Sequence, residues 1–73
     1  MKKTLIKSDV AGVVNEICFS KGDIVKKGES LLFIESMKME IPIEAPFDSE
    51  IEEIFIKKDE VISQYQPLLT LKS

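Results

Sequence analysis

The sequence predicts an all-β domain, and three observations support this fold class. The apolar residues fall in short clusters rich in valine, isoleucine and phenylalanine, a pattern typical of the short strands of a sandwich or barrel. Turn segments such as residues 20–23 and 26–29 separate the clusters, and each places a glycine where a tight turn needs positive φ. Residues 14–36 also match residues 51–73 without a gap, so the chain contains two copies of one unit.

The two copies keep a constant spacing of 37 residues along their whole length. Polar positions match as well as apolar ones, for example Glu16 with Glu53 and Lys21 with Lys58. Two copies are too few for a solenoid, and each copy is too short to fold alone, so the copies must share one core. We therefore expect a single domain over residues 1–73, arranged with pseudo-twofold symmetry.

Each predicted strand is bounded by turn residues or is supported by its match in the other copy. The first strand ends at a break in the pattern, the next three are separated by the two glycine turns, and the fifth lies in the segment that joins the copies, near residues 37–44. The last three repeat strands two to four. In chain order, the eight predicted strands cover residues 3–7, 13–19, 24–25, 31–36, 39–44, 50–56, 61–62 and 68–72.

An amphipathic helix over residues 29–41 is the alternative, because leucine, methionine, glutamate and lysine are all good helix formers. Pro67, however, stands at the entrance of the matching segment in the second copy, and Pro42 would close such a helix from the other side. We therefore prefer strands for this segment.

Composition argues against several classes of function. The formal net charge of −3 argues against nucleic-acid binding, which typically needs a basic surface. No apolar run approaches the ~18–20 residues of a membrane span. The chain has no histidine, so it lacks the commonest general base, and a zinc site would have one cysteine to work with. We expect no catalytic residue and no metal ligand.

The single cysteine, Cys18, cannot form an internal disulfide, which is typical of a protein from a reducing compartment. Because it lies in the apolar run of residues 17–19, we expect it to fill the core rather than to act as a reactive thiol. A cytoplasmic location is the corresponding expectation.

The most unusual segment is ESMKME, residues 35–40, in which a lysine lies between two methionines. If residues 31–36 and 39–44 are adjacent strands, Met37 and Lys38 form the two-residue tip of a β-hairpin. Such tips adopt type I′ or II′ turns, in which asparagine and glycine are the usual residues. Methionine and lysine at this place indicate a demand other than folding, namely an amine presented to the active site of a second protein.

The methionines beside Lys38 have two interpretations. Met37 and Met39 suit a docking surface that several partners recognise, because their side chains are unbranched and polarizable. Packing against the edge of the core is the alternative. A lysine amine is mostly protonated at neutral pH, so the enzyme that modifies it must supply the base.

The segment ESMKME resembles the attachment motif of biotinyl domains, the biotin carboxyl carrier family, in which a lysine between two methionines is acylated by biotin protein ligase. This resemblance covers nearly the whole chain, through the segments AGVV, KGDIVKKGESLLFIESMKMEIPIEAPF and PLLTL. It implies a flattened β-barrel of two four-stranded antiparallel sheets. It also implies covalent biotin on Lys38 at the hairpin tip, with Met37 and Met39 as the flanking recognition residues.

The resemblance further implies a carrier that performs no bond chemistry itself. Its partners would be biotin protein ligase, which attaches biotin, a biotin carboxylase, which loads a carboxyl group, and a carboxyltransferase, which passes that group to an acceptor. We interpret the acidic residues of the hairpin mainly as solvated surface, although they could steer a basic ligase. These residues are Glu35, Glu40 and Glu44.

The second copy departs from the family pattern. The family usually has glycine near the positions of Ser49 and Asp59, and Tyr65 stands where the first copy has Gly28, so the turn types of the second copy stay open. No thumb insertion interrupts the repeat and no proline- and alanine-rich linker is seen, so we expect a free-standing carrier or an excised domain. A lipoyl carrier, whose tip typically reads Asp-Lys-Ala, and an unmodified interaction module on the same fold are the alternative functions.

Overall fold

The computed structural model describes residues 2–73, in which eight β-strands and no helix are found. The strands are β1 (Lys3–Lys7), β2 (Gly12–Ile17), β3 (Ile24–Val25), β4 (Ser30–Ser36), β5 (Met39–Glu44), β6 (Ser49–Ile54), β7 (Val61–Ile62) and β8 (Pro67–Lys72). The helix considered over residues 29–41 is therefore wrong, and the all-β prediction is confirmed. Within the described part of the chain, no helix has the length and apolar character needed to cross a membrane.

The strands form two four-stranded antiparallel sheets, in the orders β1-β8-β6-β3 and β5-β4-β2-β7. Under the 37-residue spacing, each strand of one sheet corresponds to the strand at the same place in the other sheet. Strand β1 corresponds to β5, β8 to β4, β6 to β2 and β3 to β7. The predicted flattened sandwich with pseudo-twofold symmetry is confirmed.

Four of the predicted strands have the observed bounds, and the other four differ by one or two residues at one or both ends. The largest differences are at the ends of β2 and β6, which stop before the predicted residues. Backbone amides of Cys18 and Phe55 still donate to the carbonyls of Leu31 and Leu68, at 3.0 and 2.9 Å. Pairing therefore continues for one residue past each of these strands.

Residues 2–73 enclose a hydrophobic core that matching positions of the two copies build together. Ten of its residues form pairs that are 37 apart, and each is at most 2% exposed. These pairs are Val14 with Ile51, Val25 with Ile62, Leu31 with Leu68, Leu32 with Leu69 and Ile34 with Leu71. Because each copy contributes half of this core, one copy alone could not bury its apolar face.

Reciprocal backbone hydrogen bonds also join the two copies. The amide of Gly22 donates to the carbonyl of Ile51 at 2.8 Å, and the amide of the matching Asp59 donates to the carbonyl of Val14 at 2.7 Å. A turn of each copy is therefore bonded to a central strand of the other copy. The copies are two halves of one unit.

Turns of the second copy keep the conformation of the first, although glycine is absent from them. Gly22 and Gly28 have φ angles of 92° and 88°, and the matching Asp59 and Tyr65 have φ angles of 72° and 70°. The turn types that the sequence left open are therefore equivalent in the two copies. Left-handed backbone disfavours residues other than glycine by about 1–2 kcal/mol, so the second copy carries strain that the first avoids.

The expectation that Cys18 fills the core is wrong, because its side chain is exposed. Simple alternation from the buried Val14 would place Cys18 on the core face, but a register shift after Val14 moves the alternation by one residue. Ile17 packs against the core instead. Partial burial, together with the charges of Glu16 and Glu40, raises the pKa of the thiol, which disfavours its reactive thiolate form.

Candidate functional site

The hairpin formed by β4 and β5 ends in the two residues that the sequence indicated. The last paired residues are Ser36 and Met39, so Met37 and Lys38 form the tip. Their φ angles are 53° and 64°. Positive φ at both central residues defines a type I′ turn, whose twist matches that of the flanking strands.

This tip is exposed, and its conformation is unfavourable for its residues. Met37 is 92% exposed, Met39 is 62% exposed, and Lys38 is exposed between them. Packing against the core therefore does not account for Met37. Residues held in left-handed backbone without being glycine or asparagine concentrate at functional sites, where the surrounding structure imposes the conformation.

Strand β4 fixes one side of the hairpin because the core holds it firmly. It lies between β2 and β5, and its residues Leu31, Leu32 and Ile34 are fully buried. Pairing with β5 continues to Ser36. Lys38 is therefore two residues from a strand whose position is fixed by packing.

Strand β5 is held less firmly because it is an edge strand. Its Ile43 is 7% exposed, but Ile41 is only partly buried, and Pro42 has no amide hydrogen to donate. Proline is tolerated here because the outer edge of β5 has no neighbouring strand. The end of β5 nearest the tip therefore has little apolar anchorage.

Gly12 allows β2 to lie close to the hairpin. A Cβ atom at this position would lie 2.4 Å from the carbonyl oxygen of Glu35 and 2.9 Å from Cγ2 of Ile34, so no other residue fits without movement. The matching Ser49 has a Cβ and is buried, which confines the restriction to the sheet that carries the hairpin. Sequence reasoning missed Gly12, although its mismatch with Ser49 was an available signal.

Acidic residues lie at the base of the tip. Glu35 and Glu40 face each other on β4 and β5, whereas Glu44 lies opposite Ser30 at the far end of the hairpin. Of the three acidic residues noted in the sequence, two are therefore close to the tip. The side-chain amide of Asn15 on β2 donates a hydrogen bond to Oε2 of Glu40, a contact that the sequence did not suggest.

The site is a protruding tip rather than a cleft. A groove of about 370 Å³ lies elsewhere, between the edge strands β1 and β5, where Ile6 and Pro42 are among its lining residues. Neither Met37 nor Lys38 lines this groove. An arrangement of this kind can present an amine to another protein, but it does not enclose a substrate.

Comparison with known proteins assigns the chain to a family. The model of the family described as biotin-requiring enzyme matches residues 4–71. The chain belongs to this family. The resemblance drawn from the segment ESMKME is therefore confirmed.

Two curated relatives show how this family member compares with longer proteins. It is 31% identical over 64 residues to the mitochondrial methylcrotonoyl-CoA carboxylase subunit alpha of Dictyostelium discoideum, covering 88% of this chain and 9% of that protein. It is 43% identical over 51 residues to the biotin carboxyl carrier protein of acetyl-CoA carboxylase from Streptococcus pyogenes, covering 70% of this chain and 31% of that protein. The chain therefore spans less than a third of the length of either relative.

A solved structure shows the same fold. A single-chain, multi-domain long-chain acyl-CoA carboxylase superposes with a TM-score of 0.91 and 24% identity, over 96% of this chain and 7% of that one. At this level of identity the likeness supports the fold alone. The two-sheet architecture of this biotin-requiring family member is therefore also found within a much larger protein.

Proposed function

We propose that the chain is a biotin carboxyl carrier in which biotin is attached to Lys38, with Met37 and Met39 as the flanking residues that the attaching ligase recognises. The observation that carries this proposal is the exposed type I′ tip, which holds one lysine between two methionines in a chain of the biotin-requiring family. Two relatives, a biotin carboxyl carrier protein and a carboxylase subunit, support the same function.

Attachment requires the Lys38 amine to act as a nucleophile. The nitrogen loses a proton and attacks the activated carboxyl carbon of biotin, so that an amide bond forms while the bond to the activating group breaks. Biotin protein ligase supplies the base that accepts this proton. The contribution of the carrier is to hold the amine in a fixed frame, away from its own body.

Attached biotin would supply the carboxyl-transfer chemistry, and the residues of the chain would present it. A biotin carboxylase and a carboxyltransferase each receive the tip in turn, and tethering keeps the carried group at high effective concentration near both. The chain itself is non-catalytic in this proposal. We place it in the cytoplasm, where a single unpaired cysteine is usual.

The acidic residues beside the tip contribute to recognition. Glu35 and Glu40 place two carboxylates at the base of the hairpin, and Glu16 lies on the neighbouring strand β2. A ligase with a basic entrance would be attracted to this face, which raises the association rate more than the affinity. Added salt should reduce that rate.

Mass spectrometry after incubation with biotin protein ligase, biotin and ATP tests the proposed function. The wild type should gain one biotinyl group, and peptide mapping should place it on Lys38. Lys38→Arg should gain none and should unfold at the wild-type temperature, because an exposed tip contributes little to stability. Lys58→Arg is the matched control, since Lys58 is also an exposed lysine beside a turn, and it should be labelled normally.

Three other results would contradict the proposal. Biotin on another lysine of the Lys38→Arg variant would overturn the assigned residue. A wild type that accepts lipoyl from a lipoyl ligase and no biotin would make the chain a lipoyl carrier. A wild type that accepts neither group would leave an unmodified interaction module.

A further inference from the structure

Strands β2 and β6, which occupy matching places in the two sheets, each contain one bulged residue, and these two bulges match. The pairing of β2 with β4 shifts between Val14 and Glu16, which leaves Asn15 as the extra residue. The pairing of β6 with β8 shifts between Ile51 and Glu53, which leaves Glu52. Bulges redirect side chains, so these two positions can form contacts that regular strands do not.

Both bulged residues reach across the neighbouring strand to the edge strand beyond it. Asn15 donates a hydrogen bond to Glu40, so it links β2 to β5 over β4. Glu52 lies 3.1 Å from the Nζ atom of Lys3, so it links β6 to β1 over β8. Glu40 and Lys3 are themselves matching positions, 37 residues apart. We name each of these two contacts a brace.

The two braces hold edge-strand residues of opposite charge, Glu40 in one sheet and Lys3 in the other. Glu40 faces Glu35 across the hairpin, and at the matching positions Lys3 faces Lys72. Directly opposed like charges destabilise a pair of strands. A neutral amide donor braces the acidic pair and a carboxylate braces the basic pair, so each brace has the chemistry its edge strand needs. The contact is thus present in both copies although every residue type in it differs.

We propose that Asn15 is a positioning residue for the acylation of Lys38, acting through Glu40; this inference rests on the proposed function. Glu40 is two residues from Lys38, on the end of β5 that has little apolar anchorage. Because β4 is already fixed by the core, the Asn15–Glu40 brace adds to the backbone pairing a side-chain contact that holds the second strand of the hairpin near its tip. The tip between these strands is then restricted to one orientation.

The ligase must accept the tip in a single orientation. Without the brace the tip samples more orientations, and apparent affinity falls in proportion to the fraction that can bind. The acylation step within the complex is unchanged, because neither Asn15 nor Glu40 supplies its base. Removal of the brace should therefore raise the KM of the ligase for the carrier about three- to tenfold and leave kcat near the wild-type value.

Steady-state biotinylation of four variants tests this inference. Asn15→Ala and Glu40→Ala should each raise KM, and the double variant should be no worse than the poorer single variant, because Asn15 acts through Glu40. Glu52→Ala is the matched control, since it breaks the equivalent brace on the sheet that lacks the hairpin. It should leave KM unchanged. Hydrogen exchange of the hairpin amides should be faster in Asn15→Ala than in Glu52→Ala.

Each other outcome contradicts a different claim. A wild type that takes no biotin overturns the proposed function and this inference with it. If the wild type is labelled and Asn15→Ala has the same KM, this inference alone is overturned. Additive effects of the two single variants would show that Asn15 does not act through Glu40. An equal rise in KM for Glu52→Ala would show a general loss of stability. Either result overturns the positioning role.

Discussion

Replacement of Gly12 by alanine should destabilise the domain where β2 lies closest to the hairpin. The added Cβ would lie 2.4 Å from the carbonyl oxygen of Glu35, whereas such contacts essentially never fall below 3.0 Å. The atoms must therefore separate by at least about 0.6 Å. Because the carbonyl belongs to the backbone of β4, no change of side-chain rotamer can relieve the clash.

Two contributions lower the free energy of unfolding, and a third opposes them. Overpacking of a well-packed interior typically lowers the free energy of unfolding by about 1–3 kcal/mol. Separation of β2 from β4 also weakens the pairing near Val13 and Glu35, and loss of one backbone hydrogen bond would add about 1 kcal/mol. The smaller entropy of alanine in the unfolded chain offsets about 0.4–1 kcal/mol. We expect a net loss of about 1.5–3 kcal/mol.

Urea unfolding followed by circular dichroism measures this free energy, and thermal unfolding should show a Tm lower by roughly 4–8 °C per kcal/mol. Ser49→Ala is the matched control, because the second copy already accommodates a Cβ at this position. That variant loses the hydroxyl hydrogen bond to the carbonyl of Phe47, at 3.2 Å, and should change the free energy by about 1 kcal/mol or less. A Gly12→Ala variant no less stable than Ser49→Ala would refute the argument from close approach.

Three further predictions concern the turns and the cysteine. Gly22→Val should lower the free energy of unfolding by about 1–2 kcal/mol, because φ is 92° at a position with open space for the side chain; an unchanged Tm would contradict the requirement for positive φ. Asp59→Gly should raise Tm, by less than Gly22→Val lowers it, because the matching turn of the second copy holds a residue with a side chain at a φ of 72°. A lower Tm would show that the Asp59 side chain stabilises this turn. Cys18 should react with iodoacetamide more slowly than free cysteine at about pH 8, because its raised pKa lowers the thiolate fraction. The rate should rise with pH and with Glu16→Gln, and a rate equal to that of free cysteine would contradict the pKa argument.

The strands and the hairpin tip could be predicted because they depend on local patterns that occur twice. Residues 29–41 alone fit a helix as well as strands, and Pro67 in the matching segment resolved the ambiguity. The same comparison placed Met37 and Lys38 at the joint between the copies. Local evidence was sufficient here because a tight hairpin is formed by residues adjacent in sequence.

Contacts between distant residues could not be predicted in the same way. Asn15 and Glu40 are 25 positions apart and meet because a bulge in β2 directs Asn15 over the neighbouring strand. Nothing in the local sequence marks that bulge. The same bulge explains why Cys18 is exposed although simple alternation predicts a place in the core. One extra residue exchanges the two faces for every residue that follows in the strand.

By itself, the sequence determined that two similar halves share one core and that a lysine between methionines lies at their joint, because composition and repetition are properties of the linear chain. Tertiary structure alone decided which side of a strand each residue faces, how closely β2 approaches the hairpin at Gly12, and that Asn15 donates a hydrogen bond to Glu40 on the strand beside Lys38. These features depend on strand register, and register is set by the packing of the whole core rather than by the preferences of single residues.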